Sequence, residues 1–161
     1  MELREATAAD ADAIAAVGTE TWHDTYDDIM GPETVTDLTD DWYAPETVAS
    51  YFDDDSFRAH VAETDGAVVG YAYSRPDPDD ESLWHLPALY VLPERQGDGL
   101  GARLLDRVEA DARDAAAETV RLVVLAANDS RAFYEHHGYE QVDERDEEVT
   151  GTRELVYERA I

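Results

Sequence analysis

Leu89-Tyr90-Val91-Leu92-Pro93-Glu94-Arg95-Gln96-Gly97-Asp98-Gly99-Leu100-Gly101 decides the fold. Its first three residues close a strand-type run that begins at Ser82. After it, Leu100, Leu104, Leu105, Val108 and Ala112 repeat as an apolar stripe at helical spacing, to about Ala116. The segment therefore reads strand, loop, helix. Glycines at 97, 99 and 101 let backbone N–H groups turn toward one point without side-chain obstruction. The helix adds the positive end of its dipole. Together they make an anion cradle suited to a pyrophosphate. The spacing is Gly-x-Gly-x-Gly, which is not the dinucleotide fingerprint, and a Walker loop needs a lysine that the chain lacks.

Upstream of this segment, Glu2 to Ala6 reads as a strand, and Thr7 or Asp10 caps a helix from about Ala8 to Gly18. Trp22 to Phe52 reads as two or three short helices, broken at Gly31-Pro32 and Ala44-Pro45. Phe57–Glu63 and Ala67–Ser74 are strands joined by an Asp65-Gly66 hairpin turn. Arg75 to Asp80 is a loop. Pro87, with no N–H to donate, predicts a bulge or an open edge inside the Ser82–Val91 strand. Downstream, Thr119–Leu125 is a strand. Asp129 or Ser130 caps a short helix that ends at His137, with Gly138 as its stop. Tyr139–Asp143 and Val149–Arg159 close the chain as strands. This order implies a mixed α/β domain on a largely antiparallel sheet, and 161 residues imply a single domain spanning 1–161.

Composition excludes several chemistries. Acids outnumber bases 39 to 12, a net charge of −27, and all twelve bases are arginine. Such a chain repels phosphate backbones and anionic lipid surfaces, so neither nucleic acid nor membrane is an expected partner. Without cysteine there is no disulfide, thiolate metal site or cysteine acyl-enzyme. Without lysine there is no Schiff base. His23, His60, His136 and His137 lack metal-ligand spacing. Asp77-x-Asp79-x-Glu81 lacks the glycine turn of a calcium loop, so no metal is expected. Acid spread along the whole chain is a self-repulsion that molar salt would screen. It looks like the composition of an extreme halophile. Met1-Glu2-Leu3-Arg4-Glu5 carries no leader signature, and a cytoplasmic location is expected.

The glycine segment resembles motif A of the GCN5-related N-acetyltransferases (GNAT), Gln/Arg-x-x-Gly-x-Gly/Ala, with Gln96, Gly99 and Gly101 in the matching places. Asn128 to Tyr139 resembles the family's motif B, a helix ending Phe-Tyr-x-x-x-Gly-Phe/Tyr, matched by Phe133, Tyr134, Gly138 and Tyr139. Asn128 stands six residues before the tyrosine, where seven is commoner. Thr7 to Tyr26 and Asp65 to Tyr71 resemble the family's first helix region and second hairpin, so the likeness covers nearly the whole chain.

The resemblance implies an α/β GNAT fold, with a sheet of about seven strands splayed between the fourth and fifth. It implies acetyl-CoA as cosubstrate and transfer of the acetyl group to a primary amine. The cosubstrate would be held by Leu89, Val91, Gln96, Gly97, Asp98, Gly99, Leu100, Gly101, Ala102, Arg103, Asn128 and Tyr134. Arg95, Arg103 and Arg107 could balance its phosphates. Trp22 and Tyr26 would face the acceptor.

Amide formation from a thioester requires a neutral amine, a stabilised oxyanion and a protonated leaving sulfur. With no cysteine, direct attack in a ternary complex is the expected route. Tyr134 is the candidate acid. His85 is the candidate base, because imidazole exchanges protons near neutral pH, and Glu81 is the fallback. The backbone N–H of Val91 would polarise the thioester carbonyl. Core packing is the alternative role for Tyr134, a surface or packed position for His85, and plain helix charge for Arg107. A small molecule, a peptide or a protein could supply the amine, and a homodimer stays open. The rival from another class is a non-catalytic acyl-CoA-binding or regulatory module on the same fold.

Overall fold

The computed structural model describes residues 2–126, 130–146 and 153–161. Along the chain lie β1 (Glu2–Glu5), a 3-10 turn (Ala8–Asp10), α1 (Ala11–Met30), α2 (Pro32–Trp42), α3 (Pro45–Tyr51), β2 (Arg58–Thr64), β3 (Ala67–Pro76) and β4 (Leu83–Val91). A second 3-10 turn (Pro93–Arg95) leads to α4 (Leu100–Asp114), β5 (Thr119–Leu125), α5 (Arg131–His136), β6 (Glu140–Asp146) and β7 (Arg153–Ala160). The strands form one seven-stranded sheet in the order β1-β2-β3-β4-β5-β7-β6. Every described pairing is antiparallel except β4 with β5. The mixed, mostly antiparallel sheet expected from the sequence is the one found.

The first helix differs from its expected Ala8–Gly18 span. Ala8–Asp10 is a 3-10 turn, and α1 continues without a break to Met30, so Trp22 and Tyr26 sit on it. Gly18 does not stop the helix; it admits the Tyr43 ring, which a Cβ there would meet at 2.4 Å. The breaks at Gly31-Pro32 and Ala44-Pro45 are where the sequence placed them, with Pro32 and Pro45 opening α2 and α3. β6 extends to Asp146 rather than Asp143, because Arg145 and Asp146 pair with Glu154 and Arg153. The first residues of the expected Val149–Arg159 strand lie outside the described residues.

Two cores cover the two faces of the sheet. Leu104, Leu105 and Val108 of α4 pack on Val120, Leu122 and Tyr157, joined by Tyr134 and Tyr139. Ile14 and Val17 of α1 pack on Val61, Tyr71 and Tyr73.

Pro87 shapes the centre of the sheet. The β3–β4 register passes from Tyr73 opposite Ala88 to Arg75 opposite His85. Leu86 and Pro87 together therefore oppose Ser74, which is a β-bulge. The parallel β4–β5 ladder stops at Leu86 opposite Leu122. Pro87 has no N–H with which to extend it. Beyond that point β4 runs to Val91 and β5 to Leu125 without pairing each other. The bulge also exchanges faces: Trp84 and Leu86 point to the α4 side before it, and Leu89 and Val91 after it. Ala88 and Tyr90 consequently face α1.

Candidate active site

A cleft of about 920 Å³ occupies the gap between the parted ends of β4 and β5. Its floor is the two strands, one wall is α1, and the other is the glycine loop with α4 and α5. Leu92 N–H donates to Val69 C=O at 2.8 Å, on the β3 side. Alternation along the strand therefore turns the main-chain groups of Val91 toward the gap. The Val91 C=O takes a hydrogen bond from Gln96 Nε2 at 3.0 Å, which ties the loop to the strand end.

Gly97 (φ +92°) and Gly99 (φ +79°) adopt left-handed conformations, and Gly99 is the residue that caps α4. Gly101 lies so close to Phe133 of α5 that a Cβ would stand 3.3 Å from the ring. Of the expected cosubstrate residues, Leu89, Val91, Gln96, Gly97, Gly99, Leu100, Gly101, Ala102 and Tyr134 line the cleft. Asp98, Arg103 and Arg107 are exposed and stand outside the lining, whereas Arg95 is part of it. Asn128 lies outside the described residues. The loop thus offers amides, a helix N-terminus and one guanidinium, while its carboxylates, Glu94 and Asp98, are exposed and stand outside the lining. That donor set fits a diphosphate.

Tyr134 lies on α5, is 6% exposed and lines the cleft. Its hydroxyl makes no hydrogen bond among the described residues. Burial, and then the neighbouring Tyr90, push its phenol above the ordinary tyrosine range. Across the cleft, Trp22 Nε1 donates to the Tyr90 hydroxyl at 3.2 Å. The Trp22 ring lies 4.3 Å from that of Tyr26 and 5.1 Å from that of Trp42.

His85 is one residue below the cleft, which begins at Leu86, and is not part of its lining. It faces the α1 side of β4. Its Nε2 is 2.7 Å from Asp77 Oδ1, and this contact holds the Asp77 carboxyl below its usual range. The carboxylate orients the ring and leaves Nδ1 without a partner among the described residues. Glu81 lies in a separate groove with Arg75 and Trp84.

Sequence reasoning missed Asp24, Trp42, Tyr90 and Glu154, which also line the cleft. Trp42 arrives through the packing of α2 on α1, and Glu154 through its register opposite Leu125. Neither carries a local signal. Among the described residues no group of three or more His, Asp or Glu is placed to hold a metal ion. Among the described residues no helix is long and apolar enough to cross a membrane.

The [ribosomal protein bS18]-alanine N-acetyltransferase of Haemophilus influenzae is 30% identical over 78 residues, 48% of this chain and 51% of that protein. The chain thus matches about half the length of this curated relative. Among solved structures, the PaiA N-acetyltransferase of Thermoplasma acidophilum in complex with coenzyme A shares the fold, with a TM-score of 0.87 and 20% identity over 99% of this chain and 98% of that one. The ribosomal-protein-alanine N-acetyltransferase of Brucella melitensis is 26% identical with a TM-score of 0.73, and each chain is covered completely, 100%. The acetyltransferase (GNAT) family model matches residues 20–139, from the aromatic wall on α1 through the glycine loop to Tyr139, and the chain belongs to that family.

Proposed function

We propose that this protein transfers the acetyl group of acetyl-CoA directly to a primary amine within a ternary complex. The observation that carries the reading is the gap between β4 and β5, where one cleft gathers an anion cradle, the gap-facing N–H of Val91 and the side chain of Tyr134. Acetyl-CoA supplies an activated acyl carbon bonded to a good leaving sulfur. Amides from Gln96 to Ala102, with Arg95, hold its diphosphate. The Val91 N–H donates to the thioester oxygen as charge develops there. The amine nitrogen bonds to the acyl carbon, the C–S bond breaks, Tyr134 gives its proton to the sulfur, and the proton shed by the nitrogen as it becomes an amide restores the phenol. The absence of cysteine supports direct attack over an acyl-cysteine route.

The acceptor arrives as an ammonium at neutral pH and must lose a proton. His85, oriented by Asp77, takes that proton through water across the one-residue separation from the cleft. His85→Ala should shift or remove the acid limb of the pH–rate profile, where activity falls as pH drops and the base becomes protonated. A profile matching that of the parent protein returns His85 to a structural role.

Asp24 and Glu154 are the charged residues lining the acceptor half, among the described residues, and both are acidic. They favour a small cationic amine. The test is thiol release from acetyl-CoA across a panel that includes 1,4-diaminobutane, n-butylamine and a peptide with N-terminal alanine. Turnover fastest with the diamine supports the proposal. Preference for the peptide favours a protein acceptor, as the names of the relatives suggest. Acetyl-CoA binding with no turnover across the panel favours the non-catalytic module.

The charge of −27 supports a cytoplasm rich in salt as the working environment. Melting temperature should rise steadily from 0.1 to 3 M KCl, because the Debye length falls from about 10 Å at 0.1 M to about 3 Å at 1 M. A flat profile overturns the halophilic reading.

A further inference from the structure

Glu109 is a carboxylate on the apolar side of a helix. It shares the buried face of α4 with Leu105, Val108 and Ala112 and is only 3% exposed. A charge there persists only if its oxygens are paired. Arg159 Nη1 donates to both of them, at 2.9 and 2.8 Å, and the Tyr139 hydroxyl donates to Oε2 at 2.8 Å. Burial, then the adjacent carboxylate, push the Tyr139 phenol above its ordinary range, so it keeps the proton it donates. Arg159 reaches Glu109 over Gly138, where a Cβ would stand 3.3 Å from its Nε.

Helix α5 has six residues and cannot hold itself. It ends in a Schellman arrangement. Gly138 (φ +91°) donates its N–H to Glu135 C=O at 3.1 Å, and Tyr139 N–H donates to Tyr134 C=O at 3.0 Å. The rings of Tyr134 and Tyr139 meet edge-on at 5.8 Å. The residue fastened to Glu109 is therefore the one whose amide and ring fix Tyr134. A second tether, Tyr157 hydroxyl to Glu135 at 3.0 Å, joins α5 to β7.

We propose that Glu109 is a positioning residue for acetyl transfer: through Tyr139 it fastens α5, and with it the Tyr134 hydroxyl, to the helix whose first turn forms the anion cradle. The proposal rests on the reading of Tyr134 as the proton donor to sulfur. α4 is continuous over 15 residues, so cradle and clamp share one rod. The spacing between the anchored diphosphate and the proton donor is then set by that rod and one hydrogen-bonded clamp. A displacement of about 1 Å can cost about 10²-fold in rate.

Two measurements test this on Tyr139→Phe, Glu109→Gln, Tyr134→Phe and the Tyr134→Phe/Tyr139→Phe double variant. The first is amide hydrogen exchange with acetyl-CoA bound. Faster exchange over residues 131–139, with residues 100–108 unchanged, is expected in Tyr139→Phe and Glu109→Gln. The second is single-turnover thiol release with 1,4-diaminobutane. Tyr139→Phe should slow it by roughly 10- to 100-fold without changing the acetyl-CoA Kd, and should add nothing in the Tyr134→Phe background. A lower Tm with unchanged exchange and rate makes the cluster merely structural and overturns the proposal. Equal loss in both backgrounds also overturns it, while leaving the role of Tyr134 intact. A silent Tyr134→Phe overturns the acid assignment and the proposal together. Tyr139→Phe keeps the ring and both Schellman bonds, so it decides the matter if Glu109→Gln fails to fold.

Discussion

Tyr134→Phe should lower the rate of the chemical step by roughly 10²–10⁴, the range typical of a lost general acid. The hydroxyl lines the cleft and has no hydrogen-bond partner among the described residues. Its removal therefore breaks no described contact. The ring keeps its edge contacts with Phe133 at 5.1 Å and Tyr139 at 5.8 Å. Stability should consequently change little. Acetyl-CoA affinity should hold, because the diphosphate cradle is made by main-chain groups elsewhere. The pH dependence has a definite sign. Burial raises this phenol above its ordinary value, so the protonated donor persists through neutral pH and is lost only at strongly alkaline pH. The parent protein should show no alkaline loss from this group below about pH 10. The measurement is single-turnover thiol release with the variant beside the parent. A rate close to that of the parent would show that solvent protonates the sulfur and that Tyr134 serves packing alone.

Gly99→Glu should abolish the stabilisation that acetyl-CoA confers. Ligand at about 100 times its Kd adds about 2.7 kcal/mol, roughly 5–10 °C in Tm for a domain of this size. The substitution is designed to separate binding from folding. A Cβ at Gly99 meets nothing within 4 Å, so the cost is the left-handed φ alone, about 1 kcal/mol. A carboxylate at the cap of α4 interacts favourably with the helix dipole, which offsets part of that cost. The variant should fold, with its own carboxylate placed where a diphosphate would sit. Gly99→Ala, carrying the backbone strain without the charge, should retain most of the shift. An undiminished shift in Gly99→Glu would remove the glycine loop from the binding site.

Local sequence carried the parts of the protein that local physics decides. The strand, glycine loop and helix around Gly99 were legible because turn, cap and apolar stripe lie within about two dozen consecutive residues. Pro87 announced a bulge or an open edge in its strand, since a residue without an N–H cannot donate to a ladder; the structure has the bulge, and the β4–β5 ladder stops one residue before Pro87. The chemistry open to the protein was narrowed by the missing lysine and cysteine. Tertiary structure decided what depends on partners distant in the chain. Gly18 reads as a helix stop until Tyr43 is seen packed against it. His85 acquires its orientation from Asp77. Glu109 breaks the α4 stripe at a position where helical spacing demands an apolar residue, a visible irregularity. What it pairs with, Tyr139 thirty residues on and Arg159 fifty residues on, is fixed only when the sheet brings them together. Propensity and periodicity are properties of neighbours along the chain, whereas a buried charge is satisfied by neighbours in space.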